Sequence, residues 1–205
     1  MYVPLLDKLL YRHPFEGGSA RRYARLEQRA FGDLDARLLV TLDLAGARRF
    51  LDLGCGPGTL ARAARVNHPG LQVIAIDPSR DFASRPGFVR AAGEALPLAD
   101  RSIDVAACVS SIRHVRDRAT TLAELRRVVH GRLVIVELDP AADRTRIANH
   151  ANQLGSAILK HLFGPLVVKT APPADTIVEL AEAAGWRCQE RRSDPIQPVF
   201  ILELA

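Results

Sequence analysis

The stretch FLDLGCGPGTLA at residues 50–61 joins a short apolar run to a carboxylate and three closely spaced glycines. The glycines are Gly54, Gly56 and Gly58, and Asp52 lies two residues before the first of them. A glycine-rich turn between a strand and a helix brings backbone N–H groups close to a ligand. The stretch therefore predicts a ligand site at the point where a strand ends.

Asp52 limits the chemistry of that ligand. A carboxylate repels a phosphate but suits a cation or a pair of hydroxyl groups. The glycines lack the G-x-G-x-x-G spacing of dinucleotide folds, which disfavours an oxidoreductase, and no lysine followed by serine or threonine completes a phosphate-binding loop. Asp77 ends the next apolar run and can accept hydrogen bonds from both hydroxyls of a ribose. One acid for an amino group and one for a ribose describe S-adenosylmethionine, which carries no phosphate.

Strands and helices alternate after residue 46. Strands that are apolar throughout, separated by helices, predict a parallel sheet covered on both faces. The break at 194–198 is too short for a helical crossover, so the last two strands should pair antiparallel at one edge. The fold class is therefore α/β, with a Rossmann-like, seven-stranded, mostly parallel sheet whose last strand is antiparallel, and helices on both faces. The predicted strands are 49–54, 71–78, 87–92, 102–111, 132–138, 186–193 and 198–205, and the main helices between them are 59–70, 119–129 and 175–185.

The length of 205 residues predicts one domain, here 1–205. Within it we expect an N-terminal helical cap (1–46), a cofactor-binding core (47–138), and a C-terminal helix and edge hairpin (175–205). The stretch 139–174 is longer than a connection needs. Its apolar stripe from Ile147 to Leu162 allows three interpretations: a helix that packs on the core, a lid over a substrate pocket, or the face of a homodimer.

Composition excludes several classes of protein. The net charge of +5 comes from scattered arginines, which does not favour nucleic acid as a partner. No run approaches the roughly 20 apolar residues of a membrane span, and the first residues do not form a signal peptide. The three cysteines, Cys55, Cys108 and Cys188, have no disulfide or metal-ligand spacing, so we expect reduced thiols, a cytoplasmic location and no metal.

Three stretches together resemble a known family. FLDLGCGPGTLA, VIAIDPS and GEALPLADRSIDVAACVSSIRHV are similar, in this order, to the signature stretches of class I S-adenosylmethionine-dependent methyltransferases. The small-molecule branch that includes the ubiquinone and menaquinone C-methyltransferases is the most similar. The resemblance covers residues 49–138 well and 175–204 loosely, and it implies a seven-stranded sheet with an antiparallel last strand.

The resemblance also implies roles for individual residues. The glycine turn with its acid would hold the methionine moiety, Asp77 the ribose, and the stretch 92–94 the adenine edge. Ser110 and Ser111 would border the sulfonium and the acceptor, while the cap tyrosines Tyr11 and Tyr23 are candidate substrate contacts. The implied cofactor contacts are Asp52, Gly54, Cys55, Gly56, Asp77, Pro78, Ser79, Gly93, Glu94 and Ser110.

The sequence departs from the family at three places. Ala92 stands where the family has an aspartate that accepts a hydrogen bond from adenine, which predicts cofactor binding weaker by about 1 kcal/mol. Only ten residues (78–87) separate Asp77 from Phe88, so at most two helical turns fit, and Phe82 is a candidate cover for the adenine. The family's P-G-G before strand five is reduced to HGR (130–132).

Methyl transfer from a sulfonium is a displacement with a neutral leaving group, so the protein mainly aligns the reactants and excludes water. A phenol, enol or amine acceptor can still require a base. His114 follows strand four at the ligand-binding edge and is the candidate, because an ordinary histidine pKa suits the task. The sequence thus predicts methyl transfer to a small organic acceptor. The alternatives are an RNA or protein methyltransferase and a non-catalytic, cofactor-binding relative.

Overall fold

The computed structural model describes residues 16–83, 87–154 and 157–205. Seven strands in this part of the chain form one sheet: β1 (Arg49–Leu53), β2 (Gln72–Asp77), β3 (Phe88–Arg90), β4 (Ile103–Val109), β5 (Val129–Leu138), β6 (Cys188–Ser193) and β7 (Val199–Leu204). Their order in the sheet is β3-β2-β1-β4-β5-β7-β6. Only β7 runs against its neighbours β5 and β6, so the predicted fold class is confirmed.

The strand order predicts where a ligand-binding crevice lies in the sheet. The chain moves outward from β1 to β2 and β3, then returns to place β4 on the other side of β1. Strands β1 and β4 are parallel, with Asp52 paired to Ala107, so their carboxyl ends open at the same edge of the sheet. Ligands of open α/β sheets bind at such a reversal of strand order. The glycine turn after β1 lies at this point.

Helices connect the strands. A short helix, α1 (Gly18–Arg22), continues through a π-helical turn (Tyr23–Glu27) and a 3-10 turn (Gln28–Phe31). A second π-helical turn (Phe163–Val168) follows α7. Within the described ranges, no helix has both the length and the hydropathy to cross a membrane. The remaining helices are α2 (Leu34–Leu42), α3 (Thr59–Asn67), α4 (Arg80–Ala83), α5 (Arg118–Val128), α6 (Arg144–Gln153), α7 (Ala157–Leu162) and α8 (Ala174–Ala183).

The alternation of side chains along the strands divides the core between the two faces of the sheet. Phe50 of β1 packs with α2, α3 and α6, while its neighbour Leu51 packs with α5 and α8. The predicted stripe of Leu34, Leu38 and Leu42 is buried on the first face, as expected from its helical spacing. Both faces are therefore covered by helices, which is why the central strands are apolar throughout.

The connection into β5 differs from the predicted turn at HGR. Helix α5 ends at Val128 and β5 begins at the next residue, so His130 to Arg132 lie within the strand. The pairing with β4 shifts register between Ile103 and Val105. A β-carbon on Gly131 would overlap the carbonyl oxygen of Asp104, so glycine permits this close approach of two backbones.

The segment 139–174 packs mainly on the core. Ala151 and Leu154 are buried in the cluster on the first face, and Ile147 packs against it. His150 stacks on Phe163 with the ring centroids 4.6 Å apart. These contacts favour the interpretation as a core-packing helix for 144–153, while the lid and dimer interpretations stay predictions.

Candidate functional site

Two cavities open at the carboxyl ends of β1, β2 and β4. The larger has a volume of about 460 Å³ and the smaller about 200 Å³. They share Tyr23, Gly54, Gly56 and Ser110, so the glycine turn forms a common wall. Of the residues predicted to form the site, the larger cavity brings together Tyr23, Gly54, Gly56, Asp77, Pro78, Gly93, Glu94, Ser110, Ser111 and His114, and the smaller one adds Asp52 and Cys55.

Asp77 fixes the glycine turn to the end of β2. Its Oδ2 accepts a hydrogen bond from Gly56 N at 2.9 Å, and its Oδ1 accepts one from Ser79 N at 2.8 Å. Each carboxylate oxygen keeps a further lone pair, because an ionised carboxylate offers about four acceptor positions. Asp77 lines the larger cavity and can therefore still accept two hydroxyl groups.

Asp52 is almost fully buried, with 3% of its surface exposed. Its Oδ2 accepts a hydrogen bond from Ala61 N at 3.1 Å, in the first turns of α3. Burial, reinforced by the nearby carboxylate of Asp35, raises the pKa of Asp52 to about 7. A bound cation would favour the ionised form, so the cation and a proton compete for Asp52 near neutral pH.

Ser110 and Ser111 follow β4 on the opposite side of the turn from Asp77. Ser110 has a φ of 49°, a conformation that non-glycine residues rarely adopt. Its Oγ is buried and has no hydrogen-bond partner among the described residues. Ser111 instead donates a hydrogen bond from Oγ to the carbonyl oxygen of Leu53 at 2.8 Å. A strained residue with an unsatisfied hydroxyl in both cavity walls points to a ligand-binding role.

The Gly54→Ala variant tests the packing of the turn. Gly54 has a φ of 70°, and a β-carbon there would overlap the Cβ of Ser111. We expect the free energy of unfolding to fall by about 2–4 kcal/mol, since backbone strain and steric overlap add. Denaturant titration measures the change. Gly70→Ala is the control, because its β-carbon would meet nothing within 4 Å, and an equal loss in both variants would contradict the argument.

Three residues predicted to contact the adenosine have different surroundings. Glu94 accepts hydrogen bonds at Oε1 from Arg116 N (2.7 Å) and Asp117 N (3.0 Å), so it holds the loop before α5 as well as lining the larger cavity. Ser79 is fully buried and lies outside both cavity walls, and its backbone N–H orients Asp77. Ala92 lines the larger cavity, so the family's missing carboxylate would have faced it.

His114 does not have the pKa that the sequence analysis expected. Burial, reinforced by the guanidinium groups of Arg113 and Arg118, lowers the pKa of His114 to about 3. The expectation of a pKa near neutrality is therefore wrong, since burial and two nearby cations disfavour the imidazolium. His114 lines the larger cavity as a neutral imidazole, which is a weak base.

Asp35 is a site residue that the sequence did not predict. This residue lies in the first turn of α2 and lines the smaller cavity with Asp52 and Tyr23. Its sequence context gave no signal, because an acid in the first turn of a helix is usually explained by the helix dipole. Tyr11, the other predicted substrate contact, lies outside the described residues. In the described part of the chain, no three His, Cys, Asp or Glu side chains are placed to hold a metal ion.

Comparisons with solved structures support the fold. A S-adenosylmethionine-dependent methyltransferase from Aquifex aeolicus superposes with a TM-score of 0.61 over 100% of this chain and 98% of its own, at 15% identity. At this identity the likeness establishes the fold alone. It extends over nearly the full length of both chains.

Comparisons with sequences address the family. Residues 51–135 match the family model described as a methyltransferase domain. An uncharacterized 37.1 kDa protein in transposon TN4556 of Streptomyces fradiae is 40% identical over 73% of this chain. The ubiquinone/menaquinone biosynthesis C-methyltransferase UbiE of Syntrophotalea carbinolica is 35% identical over 47% of it. The chain covers 46% of the length of each relative, so it spans about half of the proteins that it matches. Residues 51–135 therefore belong to the methyltransferase-domain family, and the chain as a whole resembles the class I S-adenosylmethionine-dependent methyltransferases, UbiE among them.

Proposed function

We propose that the protein transfers a methyl group from S-adenosylmethionine to a small organic acceptor. One observation supports this proposal above the others. Two buried carboxylates, Asp52 and Asp77, lie at the ends of adjacent strands on either side of a glycine turn, and the cavities that they line meet at that turn. This spacing of acids suits a molecule with an ammonium group at one end and a ribose diol at the other.

The residues present fit S-adenosylmethionine, the cofactor of the family. The larger cavity offers Asp77 to the ribose, and Pro78 and Phe82 supply apolar surface for the adenine. The smaller cavity offers Asp52 to the ammonium. The bare backbone at Gly54 and Gly56 permits close approach, and the unpartnered Ser110 Oγ between the cavities gains a polar neighbour. When bound, the cofactor supplies a methyl group on a sulfonium, with a neutral thioether as the leaving group.

The protein's own residues then have to position the acceptor and exclude water. Tyr23 and Phe31 line the smaller cavity from the segment before α2, and Tyr23 lies close to Gly56 of the glycine turn, so this segment supplies part of the wall that shields the site from water. The smaller cavity, with a volume of about 200 Å³, also has to take the amino-acid end of the cofactor, and the larger one of about 460 Å³ has to take its adenosine. The space left beside the cofactor suits a small molecule, which supports a small acceptor over RNA or protein.

Calorimetry with S-adenosylmethionine tests the cofactor assignment through its pH dependence. The raised pKa of Asp52, about 7, means that the free protein binds a proton below neutral pH, which an ammonium must displace. We expect the affinity to rise by up to tenfold per pH unit between about pH 5.5 and 6.5 and to level off above pH 7, with proton release on binding.

The raised pKa of Asp52 also makes the ligand-free protein lose stability as pH rises from about 4 through 7, since its native state binds more protons there.

Asp52→Asn supplies the control, because it removes the titrating group and should flatten the pH profile of the affinity. No heat at millimolar S-adenosylmethionine would contradict the proposed function. Binding without methylation of any acceptor in a panel of small amines, phenols and enols would favour the non-catalytic relative. Retention on RNA that falls with salt, together with RNA methylation, would favour the nucleic-acid alternative.

A further inference from the structure

Asp35 is a carboxylate to which the proposed function gives no role. It is half-buried in the wall of the smaller cavity, and no described residue donates a hydrogen bond to it. Burial raises the pKa of Asp35, and the charge of Arg62 opposes that rise. Arg62 is exposed and its guanidinium donates to the carbonyl oxygen of Pro57, so solvent screens its effect. A poorly solvated acid without a donor is costly unless a ligand compensates it.

The charges of the cofactor do not account for this second acid. The methionine end carries one ammonium group, which the proposed function assigns to Asp52, and one carboxylate, which a further acid would repel. The ribose is assigned to Asp77 in the other cavity. Asp35 and Asp52 already interact unfavourably, because the charge of Asp35 raises the pKa of Asp52. A second cation in the smaller cavity would relieve this repulsion.

The rest of the wall suits an organic cation. Tyr23 and Phe31 line the smaller cavity beside Asp35, and aromatic faces attract ammonium groups. Leu60 and Val109 add apolar surface for the body of the ligand. The buried Oγ of Ser110, which has no hydrogen-bond partner among the described residues, lies in the same wall and marks it as a place where a polar ligand binds.

We propose that Asp35 binds the methyl acceptor through an ammonium group, and that the acceptor is a small amine with an apolar or aromatic body. This inference rests on the proposed function and names the substrate class of the same site. A proton must leave the ammonium before its nitrogen can act as a nucleophile. The N–H proton passes to a carboxylate oxygen of Asp35, and the N–H bonding pair remains on the neutral amine as its lone pair. Carboxylate and phosphate acceptors are disfavoured by the same negative charge.

Three probes of similar shape and different charge test the proposal: phenethylamine, 2-phenylethanol and 3-phenylpropionate. Each is titrated by calorimetry into protein saturated with S-adenosylhomocysteine, whose own affinity is measured first. We expect phenethylamine to bind at least about tenfold more tightly than the alcohol, and 3-phenylpropionate to bind most weakly. In Asp35→Asn the amine should bind no better than the alcohol, while the affinity for S-adenosylhomocysteine stays within about twofold.

Two variants complete the design. Asp35→Glu keeps the charge and should keep the preference for the amine, which separates charge from folding. Asp43→Asn is the matched control at the other end of α2, because Asp43 is exposed and has a positive φ of 39° that asparagine tolerates. The proposal is overturned if the alcohol binds as tightly as the amine, if Asp35→Asn leaves the amine affinity unchanged, or if that variant weakens S-adenosylhomocysteine by the same factor. Wild-type protein that fails to bind S-adenosylhomocysteine would instead overturn the proposed function itself.

Discussion

The Arg113→Met variant is expected to unfold with a free energy about 3–5 kcal/mol lower than that of the wild type. Arg113 and Glu137 are both buried, with 3% and 0% of their surfaces exposed, at the carboxyl ends of β4 and β5. Removing the guanidinium leaves the buried carboxylate of Glu137 without the nearby positive charge that opposes its desolvation, and an uncompensated buried charge is strongly destabilising. Denaturant titration near neutral pH measures this loss.

The contacts of Arg113 explain the size of the effect. Its backbone N–H donates to Glu137 Oε2 at 3.3 Å, while its Nη1 and Nη2 both donate to the carbonyl oxygen of Val167 at 3.2 Å. Burial raises the pKa of Glu137, and the charge of Arg113 opposes that rise, so methionine would leave a carboxyl group that must be protonated to stay buried. The variant would also remove the donors that hold the turn at 163–168 against the loop after β4.

A double-mutant cycle separates the charge pair from the loss of packing. Glu137→Gln alone should also destabilise, and the combined variant should recover part of the loss, with a coupling energy of about 1–3 kcal/mol. Arg187→Met is the control on an exposed arginine and should change the free energy by less than about 0.5 kcal/mol. Additive effects at Arg113 and Glu137, without coupling, would contradict this account of the pair.

The fold could be predicted from the sequence because the patterns that specify it are local. Apolar runs that alternate with helical segments specify the parallel sheet, and the five residues between β6 and β7 are too few for a crossover. The start of β5 at Val129 was not readable in this way. It depends on the close approach of Gly131 to the backbone of β4, which is a tertiary contact that no sequence period reports.

The site residues likewise divide into those with a local signal in the sequence and those placed by tertiary packing. Asp52 and Asp77 were found because strand ends of a parallel sheet meet at one edge and the glycine turn marks which edge carries the ligand. Asp35 was missed because only the packing of α2 over that turn brings its carboxylate to the cavity. The arginines at positions 113, 116 and 118 are evident in the sequence and could have indicated a lowered pKa for His114. The burial of His114, which lowers its pKa most, could not be predicted from the sequence.

The second large effect is expected for Asp77→Ala, which should weaken the binding of S-adenosylhomocysteine by at least about a hundredfold. Two hydrogen bonds from a ribose to a charged acceptor contribute about 1.5–3 kcal/mol each, and the variant removes both. It also leaves the backbone N–H groups of Gly56 and Ser79 without the Asp77 carboxylate to which they donate in the wild type. The glycine turn would therefore lose its attachment to β2 as well as its ribose acceptor.

A truncated ligand distinguishes the two acids. Methylthioadenosine keeps the ribose and lacks the amino-acid end, so Asp77→Ala should weaken it by the same factor as S-adenosylhomocysteine, while Asp52→Asn should leave its affinity unchanged. Asp139→Ala is the matched control, because Asp139 also follows a strand and accepts a backbone hydrogen bond, from Ala141 N at 2.8 Å, but lies outside both cavity walls. If Asp52→Asn weakened methylthioadenosine as much as S-adenosylhomocysteine, the division of the ligand between the two carboxylates would be wrong. Asp35 would then no longer be left for the acceptor, because its assignment requires that Asp52 binds the cofactor's ammonium.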